Sequence, residues 1–172
     1  MSGKHEFRLG RYLPQVIDEI GGNIDFVILD TVHSMPGEGL DFLAMLPYLK
    51  HGAMVILHDV SLNQYGNNHN ANATGVLFSA VTAEKYLNFV QGDLNSKFVY
   101  PNIAAFQINE QTVPNIENVF LTMVLHWAYL PSQGEIQLYL RHYQRHYPPE
   151  LCKIFAESVK MNIYNLVIAP YN

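Results

Sequence analysis

Cysteine is nearly absent from this chain: Cys152 stands alone among 172 residues, so no disulfide forms within it. As a lone thiol it reads as a small core residue, and a single cysteine fits a reducing cytoplasm. Charge is sparse too, at 15% of residues, and ten Lys and Arg against fifteen Asp and Glu leave a net −5. No run of Lys or Arg occurs, which argues against nucleic acid, because duplex binding relies on clustered cations that neutralise phosphates. No apolar run is long enough for a membrane span. The start, Met1-Ser2-Gly3-Lys4-His5-Glu6-Phe7, lacks the apolar stretch of a signal peptide.

What is abundant is apolar and aromatic. Hydrophobic residues make up 49% of the chain, with eleven Tyr and nine Phe. That composition predicts a globular domain with a sizeable core. Many Tyr and few charges also suit a contact surface, and hence a homo-oligomer.

Periodicity orders the first half as helix, strand, helix, strand. Leu13, Val16, Ile17 and Ile20 share one helical face, and Gly21-Gly22 stops it. Ile24 to Leu29 is a short branched run, read as a strand apolar on both faces, as in a parallel sheet covered by helices. Pro36-Gly37-Glu38 opens a helix with Leu40, Leu43 and Leu46 inside, ended by Pro47. His51-Gly52 reads as a turn before a second buried strand, Ala53 to Leu57. Ser61 to Asn72, rich in Asn, is a loop. Thr74 is the expected cap of a helix reaching about Leu87, and Phe89 to Ile108 is expected to supply part of an antiparallel hairpin.

After Pro114 the pattern is helical. One helix is expected from Asn115 to about Leu130, with His126 in its core. A break follows at Pro131 to Gly134. Ile136, Tyr139, Leu140, Tyr143 and Tyr147 then form an inner stripe, with Gln137, Arg141, Gln144 and Arg145 outside. His142 and His146, at i and i+4, read as a solvated face. Pro148-Pro149 breaks the chain before a last helix with Leu151, Ile154, Phe155 and Val159 inside. The only sub-boundary is Thr112 to Asn115, giving an α/β unit over 1–112 and a helical extension over 113–172.

Two strands end in a carboxylate. One reads Ile24-Asp25-Phe26-Val27-Ile28-Leu29-Asp30-Thr31-Val32-His33-Ser34; the other reads Ala53-Met54-Val55-Ile56-Leu57-His58-Asp59-Val60. Ligands of an open parallel sheet bind beyond the carboxyl ends of its strands. Adjacent strands would set Asp30 and Asp59 side by side there, with His33 and His58 at hand for proton transfer or metal ligation.

This stretch, with Leu46-Pro47-Tyr48-Leu49-Lys50-His51-Gly52 before the second strand, resembles class I S-adenosylmethionine-dependent methyltransferases. The nearest kinds end strand four in Asp-x-x-His-Ser and strand five in His-Asp-Val. The resemblance is good over about 35 residues and loose over the first 110. It implies a partial Rossmann-like sheet, from strand four onward. It implies methyl transfer to a small polar acceptor, such as a sugar hydroxyl or amine. Asp30 would position S-adenosylmethionine, and His58, Asp59 or His33 would take the acceptor's proton. In related metal-dependent enzymes two such Asp hold a divalent cation, which assigns Asp30 and Asp59 as metal ligands. The third ligand there is an Asn, where this chain has Val60; His33 or His58 would have to replace it.

The residues before Ile24 hold no Gly-x-Gly turn after an apolar run, and Gly21-Gly22 precedes a strand instead of following one. The cofactor loop of such enzymes is therefore missing from this sequence. By the family's strand order, the strand over 25–30 would lose its neighbour and show an open edge. Such an edge invites an upstream domain or a second chain. The alternative expectation is a non-catalytic α/β module that assembles through that edge and its Tyr-rich helices.

Overall fold

A computed structural model describes residues 5–87 and 101–168. The chain is mixed α/β, with a four-stranded mixed sheet followed by helices. Helix α1 (Leu13–Ile20) leads into β1 (Ile24–Leu29), and α2 (Gly37–Met45) connects it to β2 (Leu49–His58). Then come α3 (Ala73–Ala80), β3 (Glu84–Leu87) and β4 (Ile103–Gln107), and last α4 (Glu117–Thr122), α5 (Gln133–His146) and α6 (Pro149–Ile168). The sheet order is β1-β2-β4-β3. β1 and β2 are parallel, while β4 runs antiparallel to both β2 and β3.

Alternation along the strands decides what the sheet covers. Leu29, Val55, Leu57, Ala104 and Phe106 are at most 2% exposed and face the helices. Their neighbours point the other way, and there Phe26 is 51%, Ile28 61% and Ile103 48% exposed. Expectation and structure part here: β1 is apolar on both faces, but among the described residues helices cover only one of them. Its outer edge has no partner strand among the described residues.

The core runs from Ile17 through Leu43, Val55 and Phe106 to Phe120, Trp127, Tyr143 and Phe155, so the late helices share it with the sheet. Phe42 meets Phe106 edge-on with ring centroids 5.4 Å apart, and Tyr143 meets Phe155 at 5.2 Å. Tyr139 and Tyr143 are buried as expected, and so is Cys152. The Tyr143 hydroxyl donates to Leu40 O and the Tyr147 hydroxyl to Leu43 O, which pins α5 to α2. Ser132 caps α5: its hydroxyl accepts from Glu135 N, and the Glu135 carboxylate accepts from Ser132 N.

Several expected elements change. His51-Gly52 lies within β2, and Gly52, at φ 82°, sits where the β1–β2 register slips between Ile24↔Leu49 and Phe26↔Met54. This is a bulge, which a glycine accommodates because it lacks a Cβ. The helix expected to reach Leu87 stops at Ala80, and Thr74 lies in its first turn instead of capping it. Glu84–Leu87 is a strand instead, because β4 offers it an edge to pair with, and tertiary pairing overrides local preference. The expected hairpin exists between β3 and β4; residues 89–100, placed in it from sequence, lie outside the described residues.

The helix expected from Asn115 to Leu130 is only Glu117–Thr122, followed by turns. With the helical period gone, His126 is exposed and Trp127, 1% exposed, takes the interior place. His142 is not solvated: it is 2% exposed, and its Nε2 lies 2.8 Å from Ala44 O on α2. Burial pushes its titration below the ordinary histidine range.

Candidate functional site

The parallel register pairs Leu29 with Leu57, so both strands end at one level and deliver their next residues to a single rim. Asp30 comes directly after β1, and His58-Asp59 closes β2. Two residues here take the left-handed backbone that non-glycine residues seldom adopt: His33 at φ 58° and Asp59 at φ 61°. These bends turn each loop back across the strand ends. Ala73 N donates to His33 O at 2.9 Å, which fastens the Asp30–Pro36 loop to the start of α3.

The four residues expected from sequence do meet. His33 Nε2 lies 3.3 Å from Asp30 Oδ1 and 3.4 Å from Asp59 Oδ2. His58 Nδ1 lies 3.4 Å from the same Asp30 oxygen and 3.3 Å from the same Asp59 oxygen. Each imidazole thus lies within 3.4 Å of both carboxylates. The Asp30 side chain is 55% exposed and that of Asp59 16%, so the rim opens to solvent on the Asp30 side.

Two further residues complete it. Asn102, just before β4, donates Nδ2 to Asp59 Oδ1 at 2.5 Å. A carboxylate only accepts, so this contact fixes which way the amide points. The neighbouring strand ends are tied nearby, with Val60 N donating to Asn102 O and Ser61 Oγ to Pro101 O at 2.6 Å. Glu38, in the first turn of α2, is fully buried, and its Oε1 accepts from His33 N at 2.8 Å. The same oxygen lies 2.9 Å from His33 Nδ1. Sequence reading missed both residues. The available signal for Glu38 was an acid in the first turn of a helix directly after the rim loop; Asn102 carried none, since only strand pairing brings it near.

Could the rim hold a cation? Neighbouring ligands at bonds of about 2.0–2.4 Å lie roughly 3–3.5 Å apart, which is the spacing of these donors. Asp30, His33 and Asp59 each offer a ligand atom within 4.8 Å of the others'. Two carboxylates and the His33 imidazole are donors that suit a divalent ion, and the imidazole nitrogen favours a first-row transition ion over calcium.

A second feature lies beside the free edge of β1. A cleft of about 390 Å³ is lined by Ile28, Val32 and Leu40, by Tyr12, Tyr129 and Tyr139, and by Asp41 and Glu135. Tyr139 donates to Asp41 and Tyr129 to Glu135, each at 2.5 Å. Burial raises Asp41 to about 6; Tyr139's hydrogen bond opposes this, and the charge of Glu38 adds to it.

Comparison with known protein families, with curated proteins and with solved structures finds no match.

Proposed function

We propose that this chain is the acceptor-side half of a class I S-adenosylmethionine-dependent methyltransferase, with a partial Rossmann-like sheet. The observation that carries the reading is the convergence of Asp30, His33, His58 and Asp59 at the carboxyl end of a parallel strand pair. An antiparallel hairpin closing the sheet and an unpaired β1 edge also agree with what the resemblance implies.

S-adenosylmethionine supplies an electrophilic methyl group on sulfonium. When bound, it would pass that methyl to an acceptor hydroxyl or amine as the carbon–sulfur bond breaks, leaving S-adenosylhomocysteine. The chain's own residues hold the acceptor and take its proton. Asp30 would position the cofactor or a cation, and Asp59, held by Asn102, would be a second ligand of that cation. His33 or His58 receives the proton. A cation held by Asp30 and Asp59 would acidify the acceptor hydroxyl. The loop over 61–72 lies next to the rim and would cover a bound acceptor.

A second reading, a non-catalytic α/β module, has its own observation. Phe26 and Ile28 on the uncovered face, beside an open strand edge, suit assembly with an upstream domain or a second copy. One titration separates the two. S-adenosylmethionine is added to this chain and to the full product of its gene, followed by calorimetry. Binding by the full product, weakened in Asp30→Asn, supports the methyltransferase reading. No heat from either overturns it in favour of assembly.

A further inference from the structure

Glu38 is a carboxyl group in the wrong place for a structural acid. It is 0% exposed, and a buried carboxylate is costly unless it is paired. The only ion pair it makes among the described residues is with the His33 ring. Among the described residues its Oε2 has no hydrogen-bond partner, and neither has His33 Nδ1, whose 2.9 Å approach to Oε1 is poorly aligned. Both orphaned atoms belong to one pair of side chains, so a small rotation of either group joins them.

The opposite edge of the same ring faces two more carboxylates, at 3.3 and 3.4 Å from Nε2. Three acids therefore compete for the protons of one imidazole. In a neutral ring only one nitrogen carries a hydrogen, and the two edges cannot both donate. Glu38 competes from a fully buried position, where a charged hydrogen bond is strongest, while the Asp30 side chain is 55% exposed and screened by water. Glu38 also holds the His33 backbone N–H, which fixes the left-handed bend that aims the ring.

The geometry points to Glu38 as a positioning residue that holds the Nδ1–H tautomer of His33, leaving the Nε2 lone pair facing Asp30 and Asp59. That lone pair is what a proton acceptor or metal ligand at the rim requires. The purpose of the arrangement rests on the methyltransferase reading; the tautomer itself does not, and is measured without cofactor or acceptor.

The experiment is long-range ¹H–¹⁵N correlation on the histidine rings, recorded above the ordinary histidine titration range. His33 is assigned by its loss in His33→Gln. The native chain is expected to show the pyrrole-type nitrogen at Nδ1 and the pyridine-type nitrogen at Nε2. Glu38→Met, which keeps the side-chain length but cannot accept, is expected to move the hydrogen to Nε2, toward Asp30 and Asp59. Should that variant fail to fold, Glu38→Gln is expected to show partial loss of the Nδ1–H signature, and Glu38→Asp to keep more of it. Asp30→Asn leaves the native pattern in place. A native ring with Nε2–H, a ring protonated on both nitrogens at that pH, or an unchanged pattern without the Glu38 carboxylate overturns the proposal. None of these outcomes decides whether S-adenosylmethionine binds, so the two ideas fail separately.

Discussion

Single residues show the sharpest contrast between what sequence carries and what it hides. Asp30 and Asp59 were legible because each ends an apolar run, and a parallel sheet sends such residues to one place. Glu38 and Asn102 were not, because their roles depend on a helix start and a strand end arriving from elsewhere. Asp41 was equally silent: nothing in Leu40-Asp41-Phe42 says that its carboxyl will be half-buried against Tyr139. It titrates at about 6, against 3.8 in an exposed chain. Between these values the folded chain holds a proton that the unfolded chain has released. Stability therefore falls as pH rises through that window, by at most about 3 kcal/mol at neutral pH. Asp41→Asn keeps an acceptor for the Tyr139 hydroxyl and removes the titration. Urea unfolding at a series of pH values is expected to show a flatter profile for the variant from about pH 4 to 6. At pH 7 the variant should be no less stable than the native chain.

At the scale of elements, α1, β1, α2 and α5 were readable because hydrophobic period and terminal signals agree. Pro36-Gly37 opens α2, and the break at Pro131 to Gly134 marks where α5 begins. The boundaries that went wrong are those settled by partners. β3 is exposed at every position, and its Glu84-Lys85-Tyr86-Leu87 order shows no apolar alternation; only pairing with β4 makes it a strand. α4 ends early because the chain turns to bury Trp127, whose Nε1 donates to Met123 O and whose backbone N donates to the Asn162 side chain. α3 matters to the rim through one close approach. A Cβ on Gly75 would lie 2.9 Å from Val60 O, a backbone atom that cannot swing aside. Gly75→Ala is expected to push α3 away from the residue after Asp59 and to cost about 1–3 kcal/mol. Thermal and urea unfolding measure the loss. Native stability in that variant would mean that α3 does not press on the strand end.

For the whole molecule, one face of the sheet carries the core and the other is exposed among the described residues. One core extends from α1 to α6, while Phe26, Ile28 and Ile103 remain exposed on the other face of the sheet, the first two on β1, whose outer edge is unpaired among the described residues. Composition foretold the core. The uncovered face was not foretold, since an apolar strand reads alike whether or not a helix lies over it. Among the described residues, no helix is long and apolar enough to cross a membrane. The proposed chemistry requires of the whole fold that two strand ends, distant in sequence, form one cation-competent rim. Manganese added in small amounts to the isotopically labelled chain tests this, because a bound paramagnetic ion broadens only nearby amide signals. The amides of residues 30–34, 58–60 and 102 are expected to fade together and first, and Asp30→Asn with Asp59→Asn to abolish the pattern. Fading that begins at other surface acids such as Glu6 or Glu157, or that reaches one strand end without the other, would contradict a shared rim.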